Sequence, residues 1–378
     1  MNLEFLEYQA RKIVNVHRHV DGPWFWGKYS AHPYIGCRSG CTFCYQRGGR
    51  YMGRRDPGSY DTLIQVKINA VELLRKELSR LPLDIIACGD WQQPAEDCYL
   101  LSRHMLEVVY ELGFPLFIVE RSPLITRDLD LLVEIQQRVG VTVAFSISSL
   151  DPALKQAFEP RSPGVKRRLQ AMEALADAGI LVGTTFMPIL PLVGDDEKHL
   201  EDVVKATKAH GGTYILSGGM TMAGFQAELT LKAALQLDPA LDSRWRQFYN
   251  WQVGAEPGFP PRAYNARLGL MVRELCARHG LLDRIPRPII PGPLADNKRI
   301  AERLFLKTYD LELEQAGDYR IWAYRKAAWT VDELKENIAE VYNVRGESGL
   351  QELPAIGKSL AAEISQWLRE EIDRKGEK

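Results

Sequence analysis

Cys37, Cys41 and Cys44 stand within eight consecutive positions, while Cys88, Cys98 and Cys276 are scattered along a chain of 378 residues. Thiols spaced by three and then two residues let one short loop wrap a corner of an iron–sulfur cube, each thiolate ligating one iron. The fourth iron then takes no ligand from the loop and stays open to a substrate or cofactor. Gly36 and Gly40 give the backbone access to the positive φ that so tight a loop uses. A structural zinc site is the competing chemistry. It takes four ligands, and His32 is the nearest source of a fourth. Six cysteines are too few for a disulfide scaffold in a chain of this size, so their clustering points to metal in a reducing compartment.

Such a loop has to be held by regular elements, and the surrounding sequence supplies them. From Tyr34 to about Gly218, apolar runs alternate with amphipathic stretches. The runs predict strands at Pro33–Gly36, Asp84–Cys88, Leu116–Glu120, Val141–Ser148, Leu181–Pro188 and Thr213–Ser217. The intervening segments repeat their apolar residues at three and four, the helical period, and Gly113, Gly140, Gly179 and Gly211 stand where those helices should stop. Strands apolar on both faces belong to a covered parallel sheet. Six such units predict an α/β fold, a partial (β/α)6 TIM-like barrel, with an open doubly wound sheet as the alternative. The candidate functional residues fall at strand C-termini, the face on which barrels do chemistry.

The rest of the chain divides around this core: an N-terminal extension over 1–30, the core over 31–218, a helical extension with a Pro-rich linker over 219–295, and an all-α domain over 296–378. In that last domain Asp296 is expected to cap a helix, and Thr330 with Glu333 has capping-box spacing. The formal net charge is −1, so no global field draws the chain to nucleic acid or an anionic membrane. No apolar run is long enough for a transmembrane span, and the N-terminus lacks a signal-peptide core. The chain is expected to be cytoplasmic, with no membrane partner.

The pattern from Cys37 to Cys44, following a strand and opening a β/α domain, resembles the signature of the radical S-adenosylmethionine (SAM) superfamily. His32–Cys37, Cys44–Arg47, Gln93–Glu96, Arg127–Leu132, Ser146–Asp151, Phe158–Arg161 and Pro188–Pro191 extend the likeness to its spore photoproduct lyase-like branch. The resemblance implies a [4Fe–4S] cluster whose open iron is chelated by SAM, cleavage to a 5′-deoxyadenosyl radical, and a flavodoxin- or ferredoxin-type electron donor. It implies that Phe43 lies beside the adenine and that Gly89 and Asp90 meet the SAM amino group. Ser146 and Ser148 would reach the ribose or carboxylate, and Arg161 the carboxylate. Serines in a buried strand also bond neighbouring backbone, and an arginine can brace a helix. The branch commonly has Thr-Asp-x-Tyr-Gln-Pro where this chain has Gly89-Asp90-Trp91-Gln92-Gln93-Pro94, which sets Trp91 and Gln92 near the expected substrate mouth. Cys88 is a candidate hydrogen donor to a product radical, or a core cysteine.

Residues 297–368 resemble the small N-terminal helical domain of family X DNA polymerases, through Asn297–Ala301, Ala323–Ala328 and the helix-hairpin-helix segment Leu353–Ala361. The hairpin implies phosphate contacts from Ile356, Gly357 and Lys358, with Arg325 and Lys326 as a second contact, so DNA is the expected partner. Ala355 replaces the hairpin's first glycine. Glu363 stands at the lyase lysine position, where a carboxylate forms no Schiff base. From Asp296 onward 14 Lys/Arg face 17 Asp/Glu, so the domain is not basic overall. The expected function is radical SAM chemistry on DNA. The alternatives are a small-molecule or protein substrate with the tail as an interaction module, or a non-catalytic iron–sulfur DNA sensor.

Overall fold

The computed structural model describes residues 3–20, 22–52, 56–222, 224–252 and 258–376. The chain forms two compact units: Met1–His17 with Gly27–Pro286, and Arg18–Trp26 with Arg287–Lys378. The second unit therefore begins nine residues before Asp296 and includes a piece of the N-terminal stretch.

Among the described residues, ten strands build the first unit: β1 Glu4–Tyr8, β2 Val14–Val16, β3 Tyr29–Ala31, β4 Tyr34–Ile35, β5 Leu63–Lys67, β6 Ile86–Gly89, β7 Leu116–Glu120, β8 Val141–Ser146, β9 Leu181–Ile189 and β10 Tyr214–Gly219. The main sheet has seven strands in the order β10-β9-β8-β7-β6-β3-β2, parallel from β10 to β3 and closed at one edge by antiparallel β2. Six parallel strands with intervening helices are the expected β/α architecture.

Its first strand lies elsewhere than the sequence indicated. Tyr29–Ala31 pairs with β6, whereas β4 joins β1 and β5 in a separate three-stranded sheet. Pro33 offers no N–H, so the ladder cannot run on through it. β1 and β5 had no sequence signal of comparable strength, because their partners are about 60 residues apart.

Alternation along the strands separates two faces. On β8, Val141, Val143 and Phe145 join the apolar core packed under the helices, whereas Thr142, Ala144 and Ser146 face the other way. On β9, Thr184 bonds Thr207 of the helix Glu197–Ala209 at 2.7 Å, which sets Gly183 and Thr185 on the inner face. All six residues of β8 are buried, so both faces are covered.

The second unit is helical, with helices at Gly22–Phe25, Ala295–Leu313, Asp318–Asp332, Ile338–Gln351 and Lys358–Gly376. The fourth is kinked at Gly346, where φ is 62° and ψ −156°. Asp332 is buried between Arg287 and Lys298. Asn297 donates to Leu334 O and Glu336 O at 3.0 and 2.9 Å and accepts Ile338 N at 2.8 Å. Two capping expectations are corrected here. Asp296 lies inside a first turn and pairs with Arg299. Thr330 and Glu333 end a helix, because buried Ala327, Ala328 and Val331 carry the apolar period past them; the cap is Asn337, accepting Ala339 N at 2.7 Å.

Candidate functional site

The cysteine loop leaves β4 at Gly36, whose φ is +100° and whose missing Cβ would sit 2.8 Å from Tyr60 O. Gly40, φ +62°, turns the loop against Arg161 and Asp61. Around these turns Cys37 N bonds Tyr60 O at 3.0 Å, and Thr42 N bonds Phe158 O at 2.9 Å. Arg47 is buried behind the loop, donating to Cys41 O at 3.3 Å with its guanidinium 5.1 Å from the Tyr60 ring centre. Arg161 also pairs with Asp61. The loop is thus clamped from both sides.

Within it the three thiols share one electrostatic environment. Cys37 and Cys41 are buried, and Cys44 half-buried. Burial raises all three thiol pKa values, Cys41 to about 12, with Cys37 raised further by Asp90 and by the other two thiols. Cys37 Sγ lies 3.7 Å from Asp90 Oδ1, and Cys44 Sγ 3.8 Å from the Tyr60 hydroxyl. Among the described residues no three His, Cys, Asp or Glu side chains gather around a single metal ion. His32 is turned to Gly89 O at 3.4 Å, and burial lowers its pKa to about 4.

The end of β6 brings Gly89 and Asp90 to this loop. Asp90 takes a positive φ of 55°, and its carboxyl is raised by burial against the opposing pull of Arg121 and Cys37. Gln93 staples the two segments, its Nε2 donating to Gly36 O at 2.9 Å and Asp90 O at 3.0 Å. Ser146 and Ser148 reach the inner face at the end of β8, and Ser146 O accepts Arg168 at 2.7 Å. Phe43 is buried, with the Arg121 guanidinium carbon 5.9 Å from its ring centre.

Several expected placements are corrected. Cys88 packs in the apolar core and its thiol donates to Phe117 O at 3.6 Å, with alternation turning it away from Gly89. Trp91 and Gln92 do not line a mouth. Trp91 Nε1 donates to Ala31 O at 2.8 Å, and Gln92 is buried against Asp128 and Ser102. Glu96 and Arg127 complete this network at 2.8 Å, so two blocks that carried the family resemblance are internal braces of the loop after β6.

Arg121 and Glu120 were missed. Glu120 accepts Trp91 N and Gln92 N at 2.8 and 3.1 Å, and burial with nearby Asp90 raises its pKa to about 8. Burial acts to lower the Arg121 pKa, but Cys41, Glu159, Asp90 and Cys44 together hold it above its ordinary value. A Glu-Arg pair ending an apolar strand was the available signal, since strand C-termini form the reactive face.

Six buried side-chain atoms lack a hydrogen-bond partner among the described residues: Thr42 Oγ1, Gln93 Oε1, Arg121 Nε, Ser148 Oγ, Arg161 Nε and Thr185 Oγ1. All belong to the cysteine loop, to the inner face, or to the loops that follow β6, β7 and β8. Buried polar atoms are ordinarily satisfied, so this grouping marks where a polar ligand fits.

In the second unit, Gly357 and Lys358 are exposed at the start of the last helix, and a Cβ on Gly357 would meet nothing. Ile356 is a correction: its side chain is buried and its N–H already donates to Leu353 O at 3.2 Å. Ala355 takes a φ of 61°, a conformation costing roughly 1–2 kcal/mol for a residue with a Cβ. Arg325 pairs with Glu312 and lies over Trp322, while Lys326 is exposed.

Residues 32–205 match the radical SAM superfamily, and residues 295–372 match a helix-hairpin-helix domain. An uncharacterized protein of Mycobacterium tuberculosis is 31% identical over 268 residues, covering 69% of this chain and 77% of that relative. An uncharacterized protein of Methanocaldococcus jannaschii is 25% identical over 248 residues, covering 65% and 86%. Among solved structures, a spore photoproduct lyase variant with bound AdoMet and dinucleoside spore photoproduct is similar at a TM-score of 0.55. It is 16% identical and the match covers 75% of this chain and 82% of that one, a likeness of fold.

Proposed function

This chain belongs to the radical SAM superfamily, and from that premise we propose that it cleaves SAM reductively at a [4Fe–4S] cluster held by Cys37, Cys41 and Cys44, and acts on DNA. When bound, the cluster supplies the electron that splits SAM into methionine and a 5′-deoxyadenosyl radical. The observation that carries the reading is the group of six unpartnered polar atoms around the cysteine loop.

The residues present suit both groups. Thiols whose pKa is raised by burial give up their protons on binding metal, and Arg121 offsets the resulting negative charge. The SAM ammonium would find acceptors in the Asp90 carboxylate and Gln93 Oε1. Its carboxylate would find the Arg121 guanidinium, whose Nε makes no hydrogen bond although Glu159 lies 3.7 Å away. Ser148 and Thr185 hydroxyls on the inner face suit the ribose, with Ser146 beside them and Phe43 available to the adenine. Arg161, tied to Asp61, acts here as a brace for the loop.

The helix-hairpin-helix domain supports DNA as the partner, with Gly357 and Lys358 meeting a phosphate. Among the described residues no helix is long and apolar enough to cross a membrane, and all six cysteines are free. We place the protein in the cytoplasm with a flavodoxin- or ferredoxin-type reductant.

The test is anaerobic. Reconstituted, reduced protein should release 5′-deoxyadenosine from SAM, and an oligonucleotide should stimulate that release. Release without stimulation by any DNA would move the substrate to a small molecule or protein. Protein that carries zinc, or an iron–sulfur spectrum indifferent to SAM, would sink the reading.

A further inference from the structure

Tyr60 lies 16 residues beyond Cys44 in sequence and against it in space. Its side chain is 1% exposed and packs with Cys37, Cys44 and Met52. Three contacts fix it. Its carbonyl accepts Cys37 N at 3.0 Å, its N–H donates to Pro57 O at 3.3 Å, and the Arg47 guanidinium covers its ring at 5.1 Å. A phenol so enclosed can turn only its hydroxyl hydrogen.

That hydroxyl belongs to a chain of polar groups. The Cys44 thiol donates to the Tyr60 oxygen at 3.8 Å, and the Tyr60 hydroxyl donates to Gln46 Oε1 at 2.6 Å. The Gln46 amide in turn meets the Tyr45 hydroxyl, and Tyr45 is 58% exposed. Each group passes its hydrogen outward, away from the sulfur. Among the described residues, Tyr60 carries the one hydroxyl within hydrogen-bond reach of Cys37, Cys41 or Cys44; the side chain that meets Cys37 is a carboxyl, that of Asp90.

A cysteine bound to iron is a thiolate and has no hydrogen to give. Were the order kept, its sulfur would face an oxygen whose only hydrogen points away. The order reverses at little cost. An amide has an acceptor at one corner and donors at the other, and a hydroxyl serves as either. A half-turn of Gln46 offers its Nε2–H to Tyr60 and its Oε1 to Tyr45, and the Tyr60 hydrogen swings to Cys44. Every hydrogen bond of the chain survives, with its direction changed and no proton lost.

We propose that Tyr60 is a positioning residue that tunes the cluster through Cys44, its hydroxyl donating to the ligated sulfur while the turned Gln46 amide holds it there. Hydrogen bonds to the sulfurs set the potential of an iron–sulfur centre. A donor at this sulfur favours the reduced, more negative state, so the centre becomes easier to reduce. The inference rests on the three cysteines holding a cluster and adds a residue that governs its reduction.

Anaerobic redox titration of the reconstituted full chain, read by the paramagnetic signal of the reduced cluster, tests it. Tyr60→Phe keeps the ring and the Arg47 contact and removes only the hydroxyl. It should take up iron and sulfide like the wild type. Its ratio of reduced to oxidised cluster at a fixed potential should fall about tenfold, which for one electron is about 59 mV. Gln46→Leu leaves the hydroxyl with the sulfur and should keep the ratio near wild type. Without the reversal the two variants would trade places: Gln46→Leu would release the hydroxyl to the sulfur and raise the ratio, and Tyr60→Phe would leave it unchanged. Either result overturns the proposal while the cluster stands. Where Tyr60→Phe takes up too little iron to titrate, Gln46→Leu decides alone, a rise overturning the proposal and an unchanged ratio supporting it. Wild-type protein that forms no SAM-responsive cluster would remove both readings.

Discussion

The inner rim of the parallel sheet and the buried seam of the helical unit are both rich in polar groups, and they treat them differently. At the rim, arginine, glutamine, serine and threonine atoms are buried without partners. In the helical unit, Asn297 has its carbonyl and amide engaged and Asp332 has two cations, and no described residue there holds an unpartnered buried side-chain atom. A satisfied polar seam specifies a fold; an unsatisfied one awaits a ligand. Completeness of hydrogen bonding thus separates architecture from chemistry more sharply than burial or charge does.

Substitutions should divide along the same line. Replacing any one of Cys37, Cys41 and Cys44 by alanine should abolish cluster absorbance and 5′-deoxyadenosine release while the thermal unfolding midpoint of the metal-free protein changes little. In the helical unit the loss should be structural. Asp332→Asn leaves Arg287 buried without its counter-charge, and should cost about 3–5 kcal/mol in denaturant unfolding of that unit.

The pH dependence of that difference has a definite sign. Burial acts to raise the Asp332 pKa, but Arg287 and Lys298 overrule it and depress it below the ordinary value. The carboxylate therefore contributes stability above about pH 4, the unfolded-state value, and loses it as pH falls through the folded value. The gap between wild type and variant should be full at pH 7 and narrow only below pH 4. A gap that narrows toward alkaline pH would show the pair to be unimportant.

Arg121→Gln should fall mainly on ligand binding. It removes one charge-assisted bond worth about 1.5–3 kcal/mol, read as a roughly 10- to 100-fold weaker SAM affinity in equilibrium binding, with some loss of stability because Glu159 and Asp90 lose a counter-charge. The smallest effect is a gain: Ala355→Gly relieves the left-handed conformation at the hairpin and should stabilise the helical unit by about 1 kcal/mol.

What could be read in advance follows from how local the signal was. The cysteine loop with Gly36 and Gly40, and the strands from β6 to β10, are written in short segments. Tyr29–Ala31 was missed because three residues carry little periodicity and the sequence motif drew attention to the next strand. Of the two readings open for Cys88, its packing in the apolar core fits the core cysteine, because adjacent residues on a strand point to opposite faces. Gln92, Ser102, Glu96, Arg127 and Asp128 form a network spanning about 36 residues of sequence, and a position read as a substrate mouth is enclosed by partners too far along the chain to be legible locally. The misplaced box at Thr330 and Glu333 shows that a four-residue pattern yields to a longer apolar period.

Trp26 packs edge-on against Phe305 at 5.7 Å, and Arg287 covers its other side at 4.9 Å. The helical unit is thus discontinuous, sewn from residues separated by about 260 positions. During synthesis at ~5–20 residues per second, the early segment waits roughly 13–50 s for the helices that will shelter its indole. A fragment cut at Arg287 for biochemical work would lack that segment altogether, so an excised tail should carry Arg18–Trp26 grafted back onto it.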